Sequence, residues 1–218
     1  MGAPKAMKSS ESELLEQLRG FNVSQISDAL GSSHPVESEI RPIDPMFRIC
    51  GNARTALCEP DDNLAVLHAL DQAQKGEVLV ISCSPHDDSA VWGGLLSLAA
   101  LSKGLAGTIV DGAVRDISEF AAIGYPVFSR CTNARRARKV RPGEHHVAVR
   151  CGSIVIRPGD VVVGDINGIL AISASEVEGT LAKAMEVSRH ESDIKEQISR
   201  GLGILKILGV EGRIKHQE

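Results

Sequence analysis

The stretch from residue 84 to 130 holds the side chains best suited to chemistry. Within it the β-branched run AGTIV (106–110) leads into Asp111-Gly112, and Arg115-Asp116 follow where a helix is expected over about 116–122. In open α/β sheets, ligand sites gather at the carboxyl ends of strands. Arginine offers a planar fork that matches a carboxylate, and aspartate offers hard oxygen for Mg²⁺. Spacing alone leaves a structural role open: Asp116 as a helix N-cap with Glu119 as its capping-box partner, and Arg115 as a surface ion-pair residue. Upstream, Gly93-Gly94 opens a strongly apolar helix. A glycine pair lets a ligand approach the backbone, and the N–H groups of Gly94, Leu95 and Leu96 would be unpaired donors for a carboxylate or phosphate. A tight turn with close packing is the plainer reading. His86, Asp87 and Asp88 belong to another strand-end loop, where the two aspartates either support the site or are simply solvated.

The elements that must position these residues alternate. Helices are expected over 11–20, 24–30 (with Ser24 as N-cap), 62–74 and 94–103, the last closed by Gly104. Strands are expected over 53–58, 78–82, 106–110 and 126–129. The continuous run VLVIS (78–82) suits a strand buried on both faces. Residues 147–172 hold short β runs, with Asn167-Gly168 as a turn signal. A final helix over 175–200 has capping-box options at Ser173 and Ser175, each with Glu three residues on. Its apolar stripe, Val177, Leu181, Ala184, Val187, would continue at Glu191. That carboxylate either marks a stripe that drifts or does work on the packing face. The basic run Arg135, Arg136, Arg138, Lys139, Arg141 lacks interleaved aromatics and reads as a solvated or subunit-contacting face. The architecture expected is α/β, with a central sheet and an antiparallel β portion.

Composition narrows the function classes. With 218 residues, 43% hydrophobic and 24% charged, the chain has the balance of one globular domain. A net charge of −4 argues against nucleic-acid binding. Five scattered cysteines without a C-x-x-C pair argue against a zinc knuckle or disulfide framework. Neither a signal-peptide pattern nor an 18-residue apolar run is present, so no membrane role is expected and the cytoplasm is the default compartment.

The pieces SQISDAL (24–30), GEVLVIS (76–82), AVWGGLL (90–96), GLAGTIVDGAVRD (104–116), GYPVF (124–128) and IRPGDVVVGDINGILAI (156–172) together resemble one family. It joins RraA-type regulators of ribonuclease activity to 4-hydroxy-4-methyl-2-oxoglutarate/4-carboxy-4-hydroxy-2-oxoadipate aldolases, often misassigned as demethylmenaquinone methyltransferases. No S-adenosylmethionine glycine loop accompanies the resemblance. It implies a single compact α/β/β sandwich similar to swivelling phosphohistidine domains, here residues 1–218 with 1–10 as a disordered lead. It further implies a homotrimer or hexamer with active sites between subunits.

By the same resemblance the activity is that of a class II carbon–carbon lyase. It would use Mg²⁺ or Mn²⁺ to cleave a 2-oxo acid, or decarboxylate oxaloacetate, through pyruvate enolate. Asp116 corresponds to the metal-binding aspartate and Arg115 to the arginine that holds the substrate and stabilises the enolate oxygen. Gly93, Gly94, Leu95 and Leu96 form the segment whose amides grip the pyruvate carboxylate. Glu191 fits a glutamate supplied across the subunit interface. The family pattern also places an acidic residue twenty-one positions before the arginine, where this chain has Gly94. Asp87 or Asp88 are the substitutes nearest in sequence. The alternative within the family is a non-catalytic, RraA-type regulator that docks to a ribonuclease.

Overall fold

The computed structural model describes residues 10–31, 39–84 and 89–211. The expectations for residues 1–9 and for His86, Asp87 and Asp88 fall outside them. In chain order the described elements begin with α1 (Glu11–Leu18), α2 (Val23–Leu30), β1 (Arg41–Pro42), β2 (Ile49–Leu57), α3 (Leu64–Gln72) and β3 (Val78–Ser82). Then come β4 (Ala90–Trp92), α4 (Gly94–Lys103), β5 (Gly107–Val114), α5 (Ile117–Ile123) and β6 (Val127–Thr132). The chain continues through β7 (Glu144–His145), β8 (Val149–Cys151), β9 (Ile154–Ile156), β10 (Val161–Asp165) and β11 (Gly168–Ile172) to α6 (Val177–Ser199) and α7 (Ile204–Ile207).

Strands β2, β3, β5 and β6 pair in parallel, in the spatial order β6-β5-β3-β2. Parallel neighbours need long crossovers, and α3, α4 and α5 supply them. β3 lies at the centre and all five of its residues are buried, which is the physical reason its sequence does not alternate. Beyond β2 the sheet turns antiparallel through β10 and β11, and β1 pairs antiparallel with β6. The separate β8–β9 hairpin packs over β3 and β2. The result is the mixed α/β architecture expected. One apolar cluster fills the space around the parallel strands and α3, with Phe47, Trp92, Phe120, Tyr125 and Phe128 as its aromatics. A second joins α1 and α2 to β10, β11 and the first turns of α6. Among the described residues no helix is long and apolar enough to cross a membrane.

Local details differ from the sequence expectations. Ser10, the last residue assigned to the lead, caps α1 through a capping box with Glu13. The cap of α2 is Asn22, not Ser24, because Asn22 and Gln25 form the reciprocal pair. The β10–β11 turn is Ile166-Asn167 rather than Asn167-Gly168, since Asp165 pairs opposite Gly168. Asp165 fixes that turn: its Oδ1 accepts the Asn167 N–H at 2.7 Å, while Oδ2 accepts the Val23 N–H at 3.0 Å at the start of α2. Neither capping box forms at α6. The Ser173 and Ser175 hydroxyls bond each other at 3.0 Å, and the helix starts after Glu176. β5 runs on through Asp111-Gly112 to Val114, so Arg115-Asp116 follow directly at its carboxyl end.

Candidate active site

The site grows from one strand that the sequence did not reveal. Ala90–Trp92 is too short for a periodicity to show, yet it pairs in parallel with the end of β5. The Arg115 N–H donates to the Trp92 carbonyl at 3.0 Å, bringing the glycine pair and the Arg-Asp pair side by side. The buried Trp92 indole donates to Ser97 Oγ at 2.7 Å and stacks on Tyr125, so the turn into α4 is held from both sides. Both glycines let carboxylate side chains lie close against the backbone. A Cβ on Gly93 would lie 2.7 Å from Asp116 Oδ2, and one on Gly94 would fall inside the Glu119 carboxylate.

Gly93, Arg115, Asp116 and Glu119 line one cleft of about 480 Å³, together with Asn63, Val91, Trp92, Leu95 and Leu96. The amides of Leu95 and Leu96 open α4 with no side-chain cap, since the first intrahelical bond runs from Ser97 to Gly93. Gly94 is not the third free donor expected, because its N–H is taken by Asp116 Oδ2 at 3.3 Å. Asp116 sits in the left-handed region at φ 59° and makes no side-chain cap bond, so the capping box with Glu119 is absent. A non-glycine residue held there stores backbone strain, a mark of positions shaped by function. Its Oδ2 also meets Arg115 Nε at 3.4 Å, and both side chains are only partly exposed. The terminal nitrogens of Arg115 and the Oδ1 of Asp116 have no partner among the described residues.

Arg136 and Lys139 also line the cleft, and both are exposed, in keeping with the solvated face read from the sequence. The residue that brings them there is Asp62. It is buried and accepts the N–H groups of Val140 at 2.7 Å, Arg141 at 3.0 Å and Leu64 at 2.9 Å. Burial works against its charge, but those three donors outweigh it and hold the carboxyl below the ordinary aspartate range. Neighbouring Asn63 donates from Nδ2 to the Val91 carbonyl at 2.9 Å, while its buried Oδ1 is left without a partner. A ligand hydroxyl or water in the cleft would satisfy that acceptor. Nothing in the sequence around Asp62-Asn63 announced either role beyond an acidic helix start.

Other candidates lie elsewhere. Asp111 is a structural tie: Oδ1 takes Arg130 at 2.7 Å and Oδ2 takes the Gly152 N–H at 2.6 Å. Glu191 lies outside this protomer's cleft, where its carboxylate accepts from Gln25 Nε2 at 2.8 Å. A second cavity of about 370 Å³ borders Cys50, Arg19 and Arg48. Burial pushes the Cys50 thiol up to about 11 despite Arg19, which excludes it as a nucleophile at neutral pH.

Residues 23–171 match the RraA-like family model, described as aldolase/RraA. The chain therefore belongs to the RraA-like family. A relative in Halalkalibacterium halodurans is 35% identical over 193 residues, spanning 88% of this chain and 92% of the relative. It is named provisionally as a 4-hydroxy-4-methyl-2-oxoglutarate aldolase. A crystal structure of an uncharacterized Pseudomonas syringae protein superposes with TM-score 0.82 at 28% identity, covering 92% of this chain and 99% of the other. The fold is shared with a Streptomyces coelicolor protein described as an unusual member of the RNase ES inhibitor RraA family. That likeness has TM-score 0.77 at 24% identity over 87% of this chain and 98% of the other.

Proposed function

We propose that this protein is a divalent-metal-dependent carbon–carbon lyase. Its substrate would be a 2-oxo acid of the 4-hydroxy-4-methyl-2-oxoglutarate type, or oxaloacetate, and the route would pass through pyruvate enolate. One observation carries the reading: free helix amides, an uncommitted arginine fork and an uncommitted carboxylate oxygen converge on one cleft at a strand end. The relatives that bear the aldolase name support it.

The donor set suits a hard cation. Among the described residues no three His, Cys, Asp or Glu side chains gather as a ligand cage. Mg²⁺ does not require one, since it is commonly held by one or two carboxylates with water and substrate oxygens. Asp116 Oδ1 is such a donor. Mg²⁺ or Mn²⁺ bound there would stabilise the negative charge that develops on the keto oxygen. The rest of the work falls to the chain. The Leu95 and Leu96 amides bind the substrate carboxylate at the positive end of α4. Arg115 presents its fork to the oxygen on which enolate charge grows, a contact that strengthens as the bond breaks.

Pyruvate release, coupled to lactate dehydrogenase, tests this with 4-hydroxy-4-methyl-2-oxoglutarate and oxaloacetate, with and without Mg²⁺. Release that needs Mg²⁺ and is lost in Arg115→Ala and Asp116→Ala is the expected result. No release, with a tight Mg²⁺-independent complex with an endoribonuclease, would favour the RraA-type binding reading. That reading draws its support from the fold shared with the ribonuclease-inhibitor family member.

A further inference from the structure

Resting on that reading, we propose that Glu119 is a catalytic residue, the base that takes the substrate hydroxyl proton in aldol cleavage. The two consecutive glycines each make room for a carboxylate: Gly93 for Asp116 and Gly94 for Glu119. A Cβ at 94 would meet the Glu119 carboxyl group where it now lies, so a side chain there would turn it aside. Glu119 lines the same cleft as Arg115, Asp116 and Asn63. Its carboxylate makes no hydrogen bond or ion pair among the described residues, whereas Asp62, Asp111 and Asp165 are each committed to backbone donors or arginine. The capping box that would give it a structural role is not formed; its backbone N–H instead donates to the Asp116 carbonyl at 3.0 Å. The unpartnered, buried Asn63 Oδ1 in the same cleft is a further polar group that awaits a ligand.

The proton balance closes on this residue. The Glu119 carboxylate accepts the proton of the 4-hydroxyl. The C3–C4 bond breaks, its electron pair forms the C2–C3 double bond of the enolate, and C4 becomes the carbonyl of the second 2-oxo acid. Protonated Glu119 then returns the proton to C3, giving pyruvate and restoring the carboxylate. Decarboxylation of oxaloacetate has no hydroxyl to deprotonate, so its bond cleavage does not need this base.

The test compares wild type, Glu119→Gln, Gly94→Ala and the double variant Gly94→Asp/Glu119→Gln on both substrates. Mn²⁺ binding without substrate is followed by electron paramagnetic resonance. Glu119→Gln is expected to lower aldol cleavage by about 100-fold or more, in the range of general-base catalysis. Oxaloacetate decarboxylation and Mn²⁺ affinity should stay within about threefold in that variant. Gly94→Ala, which displaces the Glu119 carboxyl group without removing it, should reproduce the loss. Gly94→Asp/Glu119→Gln should recover part of it by delivering a carboxylate from the other side. Equal loss of both activities, loss of Mn²⁺ affinity as in Asp116→Asn, or unchanged aldol cleavage would each overturn the role of Glu119 while leaving the lyase reading intact. A wild type that releases no pyruvate from either substrate would remove the lyase reading, and this inference with it.

Discussion

On the lyase reading Arg115 and Asp116 would divide the work of one corner, and each should fail in its own way. Lysine keeps the charge of Arg115 but cannot present a planar fork, so Arg115→Lys should lower kcat/KM for pyruvate release by about 100-fold. Near-wild-type turnover in that variant would mean that charge alone suffices. Asp116 carries two burdens, a carboxylate and a left-handed backbone. Asparagine tolerates that conformation and alanine does not. In urea denaturation Asp116→Asn should therefore stay within about 0.5 kcal/mol of wild type, and Asp116→Ala should cost about 1 kcal/mol. Both should lose Mg²⁺-dependent pyruvate release. If the two variants were equally stable, the strain at φ 59° would have no energetic weight.

At the scale of elements, the cleft exists because segments distant in sequence are pinned together. Asp62 holds the segment that carries Arg136 and Lys139. Its carboxyl is depressed in the folded state, so below its ordinary value of about 3.9 the unfolded chain binds more protons than the native one. The stability it contributes is fully present above about pH 4 and is lost as pH falls through the lower folded value. Wild type should thus lose urea resistance as pH falls below about 4 more steeply than Asp62→Asn, which starts lower and has no charge to lose. Parallel slopes would show that Asp62 does not drive the acid sensitivity. The parallel strands and α4 were legible in the sequence because each carries a run of apolar residues in adjacent positions. β4 and the Asp62 clamp were not: a three-residue strand has no period, and a carboxylate that binds backbone N–H groups leaves no mark at residues 140–141.

At the scale of the molecule, α4 buries Ser97 and Ala100 but exposes Leu95, Leu98 and Leu101, and Ile117 on the adjacent α5 is exposed too. An apolar stripe of this kind, at the lip of the cleft, fits contact with a second copy of the chain. The homo-oligomer implied by the family resemblance would cover it. Sedimentation should give three or six times the 23.2 kDa chain mass, and Leu98→Glu should shift it to monomer with loss of activity. A monomeric, fully active wild type would reject both the assembly and the idea that sites lie between subunits. Glu191 can be judged on the same footing. In its own protomer it bonds Gln25, away from the cleft, so any part it plays in catalysis must be played at a neighbour's site.

The sequence by itself determined the family, the alternation of strands and helices along the chain, and the Arg115-Asp116 and Gly93–Leu96 segments as the place to look. These follow from local patterns, in which apolar periodicity and turn residues are written in adjacent positions. Only the tertiary structure decided which carboxylates and cations share the cleft. Glu119 read as a capping partner and Arg136 and Lys139 as part of a solvated or subunit-contacting face, and their place beside the cleft could not be read, because spacing along one helix or loop says nothing about the neighbour across a gap. Gly94 looked like a lost acid. In the fold the Glu119 carboxylate lies where a Cβ at 94 would stand, and a missing Cβ acquires meaning only from the atoms packed against it.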